Sequence, residues 1–219
     1  MRLFQISFLI LFLCSGPFFA FAQGDKFVTG GRFNVAVGTG FGIYNLSNNQ
    51  VGEKDGGALS GNFHLNVDLG ILPSLTTGIT FFRNSFATNK DSNEAANLGG
   101  IGLYAHLNFA KRPKTTWYLN AGFGGTVFTY QNFNNNGKVS ASGGYAFAGL
   151  GFRRYFGDHI GVFTEVNMTG YNYNQFKYDS STSLKNQVLK TPSGNDYGIA
   201  LCGAELKFGL VYAIGSNSK

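Results

Sequence analysis

The sequence predicts an all-β protein, an eight-stranded antiparallel up-and-down transmembrane β-barrel, on three observations. Within 59–71, Leu59, Phe63, Leu65, Val67, Leu69 and Ile71 share one parity, and Ser60, Asn62, His64, Asn66 and Asp68 share the other. Successive side chains of a strand point to opposite faces, so this stretch has one apolar and one polar face, as a wall between lipid and a polar interior requires. Seven further segments repeat the pattern, and the connections between them alternate long and short.

The bulk properties agree with one domain of this kind. The chain has 219 residues, with 32 Gly, 23 Phe and 11 Tyr and only 13% charged residues. A mean hydropathy of -0.03 is too polar for a bundle of membrane helices, and no run beyond the first residues approaches the roughly 20 apolar residues of a membrane helix. The net charge is +6, but the Lys and Arg residues are scattered singly, which argues against nucleic-acid binding. Residues 1–22 read as a cleaved signal peptide. Arg2 supplies the positive start, 8–14 is apolar, Pro17 breaks the run, and Ala20-Phe21-Ala22 precedes Gln23. The mature domain is then 23–219. Leu13 before Cys14 argues against a lipoprotein, and Cys202 becomes the one remaining cysteine, which excludes an internal disulfide.

Each strand follows in order. The first carries Phe33, Val35, Val37, Thr39, Phe41 and Ile43 outside against Asn34, Ala36, Gly38, Gly40 and Gly42, small residues that leave room for large ones opposite. A polar loop over 45–58 leads to the second strand, 59–71, which ends in the tight turn at Pro73 and Ser74. The third puts Leu75, Thr77, Ile79 and Phe81 outside. After a loop over 84–97, the fourth puts Ile101, Leu103, Ala105, Leu107 and Phe109 outside, with Tyr104 and His106 inside. The run Lys111-Arg112-Pro113-Lys114 is a short turn. The fifth strand shows Trp117, Leu119, Ala121, Phe123 and Val127, and a loop over 131–142 follows. In the sixth, Ala146, Ala148, Leu150 and Phe152 face outward, although Tyr145 and Phe147 compete for that face and a bulge would reconcile them. Gly157-Asp158 turns the chain into the seventh strand, with Ile160, Val162, Thr164, Val166 and Met168 outside and Phe163, Glu165 and Asn167 inside. The longest loop spans 174–195. The last strand sets Leu206, Phe208, Leu210, Tyr212 and Ile214 opposite Glu205, Lys207 and Gly209, and a polar tail closes the chain.

Even strand number, short turns at one end and long loops at the other put both termini in the periplasm and the long loops outside. Aromatic residues are expected to form two girdles at the water interfaces. Phe109, Trp117, Phe152, Tyr155, Phe156 and Tyr212 fall near the short turns, and Tyr44, Phe82, Phe86, Tyr130, Tyr171 and Tyr173 near the long loops. The barrel interior receives His64, Asp68, His106, Arg153, Glu165, Glu205 and Lys207, both signs together, as a buried ion-pair network in which Glu165 is expected to serve Arg153 or Lys207. Too few ligands converge for a metal site, no cofactor is implied, and the glycines of 38–42 lie inside a strand with no helix after them, unlike a phosphate loop.

With its export signal, its eight alternating segments, the Gly-Leu-Gly-Phe-Arg-Arg-Tyr-Phe run at 149–156, the Val-Phe-Thr-Glu-Val-Asn run at 162–167 and its aromatic last strand, the chain resembles the small outer-membrane β-barrels of Gram-negative bacteria, the OmpA/OmpX-like eight-strand domain. It departs from them in ending on a polar tail after Tyr212 and Ile214 rather than on an aromatic residue. The resemblance implies residence in the outer membrane against lipid and lipopolysaccharide. Barrel deacylases resemble a His-x-Ser arrangement, but Asn66 and Asn108 follow His64 and His106. Barrel acyltransferases place a histidine beside an Asp-Ser pair. Here Asp91-Ser92 and Asp179-Ser180 have no loop histidine, because His159 sits at a short turn. No catalytic residue is expected. An eight-strand barrel is filled by its own side chains. The leading reading is therefore a structural, envelope-integrity or surface-interaction barrel whose loops meet a surface ligand or protein partner. A narrow porin-like pore, an accessory subunit of an outer-membrane machine and, at the level of fold, a soluble barrel with polar strand exteriors are the alternatives. The loops themselves read equally as solvated connectors.

Overall fold

The structure, a computed structural model, describes residues 32–49, 56–87, 94–112, 114–131, 137–179 and 184–214. The expected signal peptide, the polar tail and Pro113 of the fourth-to-fifth turn lie outside the described residues. Among the described residues nine strands form: β1 (Phe33–Asn48), β2 (Gly56–Leu72), β3 (Leu75–Phe86), β4 (Ala95–Arg112), β5 (Thr115–Gln131), β6 (Val139–Tyr155), β7 (Ile160–Tyr173), the two-residue β8 (Lys177–Tyr178) and β9 (Ile199–Ile214). Eight of them pair antiparallel around a full circle. Sequence neighbours pair from β1 to β7, β7 pairs with β9, and β9 returns to β1 with Phe33 opposite Ile214. The sheet closes on itself and leaves no open edge.

Alternation dictates the two faces. On the outside, Ile43 is 58% exposed, Phe123 65% and Leu210 58%, while inside His64 and Asp68 are 1% exposed and Asn167 is fully covered. An apolar exterior around a polar lumen is the arrangement for a wall in lipid, and it is opposite to what a soluble barrel requires. The chain is a transmembrane β-barrel. No helix among the described residues is long and apolar enough to cross a membrane.

Close packing inside needs glycine at specific places. A β-carbon on Gly38 would lie 2.6 Å from Nε2 of His64 and 2.5 Å from the carbonyl oxygen of Phe208, so the small residue in β1 makes the space that the β2 histidine fills. Gly151 does the same for the ring of Tyr118, which a β-carbon would approach to 2.2 Å.

Two expectations need correction. The sixth strand carries no bulge, because β6 keeps unbroken register with β5 and β7, and Tyr145 and Phe147 both point inward. The irregularities fall instead between Gly70 and Leu72 and between Asn108 and Ala110, beside the short turns. Three of the four long loops are also shorter than expected: β1 runs to Asn48, β3 to Phe86 and β5 to Gln131. Crossing lipid takes about 9–11 residues of strand, and these strands have 12 to 18. Polar residues end the apolar pattern but not the hydrogen-bonded ladder, which continues into water.

Candidate functional site

Among the described residues, the buried ionisable side chains lie in the lumen. Near the short turns, Asp68 of β2 is the first anchor. Its Oδ2 meets Nη2 of Arg153 from β6 at 3.0 Å and accepts the Tyr104 hydroxyl at 2.9 Å, while Oδ1 accepts from Nδ2 of Asn34 at 2.5 Å. The Tyr155 hydroxyl donates in turn to Asn34 at 3.0 Å. The second anchor is Glu165 of β7. It accepts the Tyr118 hydroxyl at 2.9 Å, and Nε2 of His106 lies 3.7 Å from it, the imidazole stacked on the Tyr118 ring at 4.2 Å. The third is Glu205 of β9, paired with Lys207 at 2.9 Å and holding the hydroxyls of Tyr44 and, at 2.8 Å, Tyr171.

These contacts bring together six of the seven interior residues named from the sequence, as three units each built on one carboxylate. Glu165 serves His106 and Tyr118, not Arg153 or Lys207, because Asp68 and Glu205 already hold those two cations. His64 joins no unit. It is buried edge-on to Phe163 at 5.5 Å, with no hydrogen bond to a described residue. The tyrosine partners are what residue-by-residue reading of charge overlooks: Tyr104, Tyr118, Tyr44 and Tyr171 sit on inward parity, the one signal that was available. Among the described residues no group of three His, Cys, Asp or Glu converges as metal ligands require.

The aromatic residues divide differently from the expected two girdles. Trp117 and Phe152 meet edge-on at 4.9 Å, and Phe109, Phe156 and Tyr212 are exposed near the short turns. Tyr155 is not among them: it shares parity with Arg153, is 5% exposed, and lies in the lumen with the Arg32 guanidinium over its ring at 4.6 Å. No girdle forms from the set near the long loops. Tyr44, Tyr171 and Tyr173 are buried, and Phe82, Phe86 and Tyr130 pack against them with Phe128 and Tyr145 in an internal aromatic layer. Parity decides this, since each stands on the inward face of its strand.

Above that layer the lumen opens into a cup of about 380 Å³. Its walls are the strand ends, Leu46, Ala58, Phe86, Phe128 and Leu201 among them, and its rim includes Phe176, Leu189 and Tyr197 of the fourth loop. That loop is built rather than loosely solvated. β8 pairs with the start of β6, single bridges join Lys177 to Val188 and Lys190 to Asp196, and Phe176 is 2% exposed.

No protein-family model matches the sequence, and no curated protein matches it. Among solved structures, the outer membrane protein OprG from Pseudomonas aeruginosa superposes with a TM-score of 0.51 at 12% identity, over 86% of this chain and 100% of that one. The fold is that of the small outer-membrane β-barrels. Two further solved barrels of this type align at lower scores: Neisserial surface protein A, at 0.45 with 12% identity over 81% of this chain and 97% of that one, and Ail, the attachment invasion locus protein of Yersinia pestis, at 0.42 with 12% identity over 84% and 99%. At such identities the likeness concerns architecture. Within this fold the lumen holds three paired-charge units, an aromatic layer and a cup.

Proposed function

We propose that the protein, exported by a signal peptide that is then removed, resides in the outer membrane against lipid and lipopolysaccharide, closed to flow, and meets its partners at the loop end. The observation that carries this reading is the filled lumen. Each carboxylate anchor is held by a cation or an imidazole and by tyrosine hydroxyls, and Tyr44, Tyr145, Tyr171 and Tyr173 with Phe128 occupy the section above. Opening a path would separate buried charges, which costs several kcal/mol per ion. A narrow pore is the competing reading, and it requires that cost to be met during opening.

Conductance of the purified protein in a planar bilayer tests the closed reading. Silence at potentials of either sign is expected, whereas regular single-channel steps would establish the pore instead. Membrane fractionation with heat-dependent gel migration tests the location: folded protein in the outer-membrane fraction is expected, and recovery in the soluble fraction alone would overturn it.

A further inference from the structure

We infer that the turn-end mouth of the lumen binds a single monatomic anion, chloride in ordinary solution, between Arg32 and Arg153. Both side chains line one cavity, in which about 10 Å³ is open to a water-sized sphere. That is about the room of one water or one ion of like size. A phosphate or a sulfate needs more.

Two buried guanidinium groups supply the donors. Arg32, just before β1, is 7% exposed; its carbonyl accepts the Gly70 amide at 2.9 Å, and its guanidinium rests on the Tyr155 ring at 4.6 Å. Those two contacts fix it at both ends. Its Nε and Nη2, which form one edge of the guanidinium, are buried and have no hydrogen-bond partner among the described residues. Arg153, also 7% exposed, gives Nη2 to Asp68 at 3.0 Å, while its buried Nε is unpartnered in the same sense. The wall also includes the polar side chains of Asn34, Thr76, Asn108 and Thr116.

A buried donor left without an acceptor is costly, and more so when it carries charge. Water accepts hydrogen bonds from such donors but does not compensate the charge. Asp68 is already engaged by Arg153, so a water in the cavity leaves the Arg32 cation without a counter-ion there, whereas chloride both accepts and neutralises. A spherical anion also takes donors from any direction, which suits nitrogens presented by two different side chains.

The probe is chloride, titrated into the folded protein in detergent micelles at constant ionic strength with gluconate as the balancing anion. A chloride NMR line width in excess of that in protein-free micelles is expected, reversed by bromide but not by sulfate or acetate. Arg32→Gln is expected to weaken binding at least about tenfold, the equivalent of one charge-assisted hydrogen bond, while the barrel keeps its heat-dependent migration. Lys114→Gln, which removes an exposed cation at the same end, is expected to leave binding unchanged. If Arg32→Gln fails to fold, crystals of the natural protein grown in bromide decide, with an anomalous peak expected in contact with both guanidinium groups. A line width without excess in the natural protein, an excess that survives Arg32→Gln, or equal displacement by sulfate or acetate would overturn the site. A bromide map with no peak between the two arginines would do the same. None of these outcomes depends on where the protein resides or on whether the barrel conducts.

Discussion

The two ends of the lumen are built from the same strands but by opposite means. Toward the short turns, charge is buried and cancelled locally: Asp68 with Arg153, Glu165 with His106, every carboxylate also held by tyrosine hydroxyls. Toward the loops, aromatic and aliphatic side chains form the buried cluster, from Tyr44 and Leu98 to Phe176. A paired charge is directional and fixes which side chains meet, whereas apolar packing is not directional. The turn end is therefore a lock and the loop end a receptacle, and Glu205, capped by tyrosines that belong to the aromatic layer, is the joint between them.

The sharpest way to break this contrast is Asp68→Ala. Arg153 is 7% exposed, so deleting its partner leaves a buried cation unpaired, and equilibrium urea unfolding in lipid vesicles is expected to show a loss of about 3–5 kcal/mol. Replacing both partners together, Asp68→Leu with Arg153→Met, is expected to recover much of that loss, because no orphan charge remains. A single variant as stable as the natural protein would mean that the turn end is not locked by charge.

A smaller effect is expected at the joint. Tyr44→Phe keeps the ring beside Phe86 and Tyr171, both at 5.8 Å, and removes the hydroxyl given to Glu205. A hydrogen bond to a charged group contributes about 1.5–3 kcal/mol, and Glu205 retains Tyr171 and Lys207, so a loss near the lower figure is expected in the same unfolding measurement. If Tyr44→Phe is neutral while Tyr44→Ala is not, the residue belongs to the aromatic layer alone and the two halves are independent.

The barrel was legible in the sequence because period-two alternation is a property of single strands. His64, Asp68, His106, Arg153, Glu165, Glu205 and Lys207 all stand on inward parity and all lie in the lumen or its wall. Who meets whom was not legible, since partnership depends on the stagger between non-neighbouring strands. Arg153 on β6 reaches Asp68 on β2 across the lumen, not Glu165 on the adjacent β7. The aromatic layer is hidden for a different reason: closeness to the strand ends suggests a girdle for Tyr44, Tyr155, Tyr171 and Tyr173, whereas their parity points inward. The cup escaped notice because it needs the fourth loop folded back, and Leu189 and Tyr197, which complete it, are scattered in an otherwise polar stretch.

The weakest expected effect tests how that loop is held, and so whether the receptacle depends on charge at all. Lys190, and Gln175 at 3.0 Å, donate hydrogen bonds to the Asp196 carboxylate and hold it below the usual carboxylate range. A carboxyl whose folded pKa is depressed contributes stability above its unfolded pKa of about 3.9 and loses that contribution as pH falls through the folded value. The backbone it braces includes the Thr191 amide on Asn195 at 2.8 Å and the Tyr197 amide on Leu189 at 2.9 Å. Hydrogen-exchange protection at these two amides, corrected for intrinsic rates, is expected to fall slightly once the pH drops below the ordinary carboxylate range, and Asp196→Asn to remove that dependence. Protection that does not change over the same range would assign the loop's order to the burial of Phe176 and its contact with Tyr197, making the receptacle apolar in its support as well as in its lining.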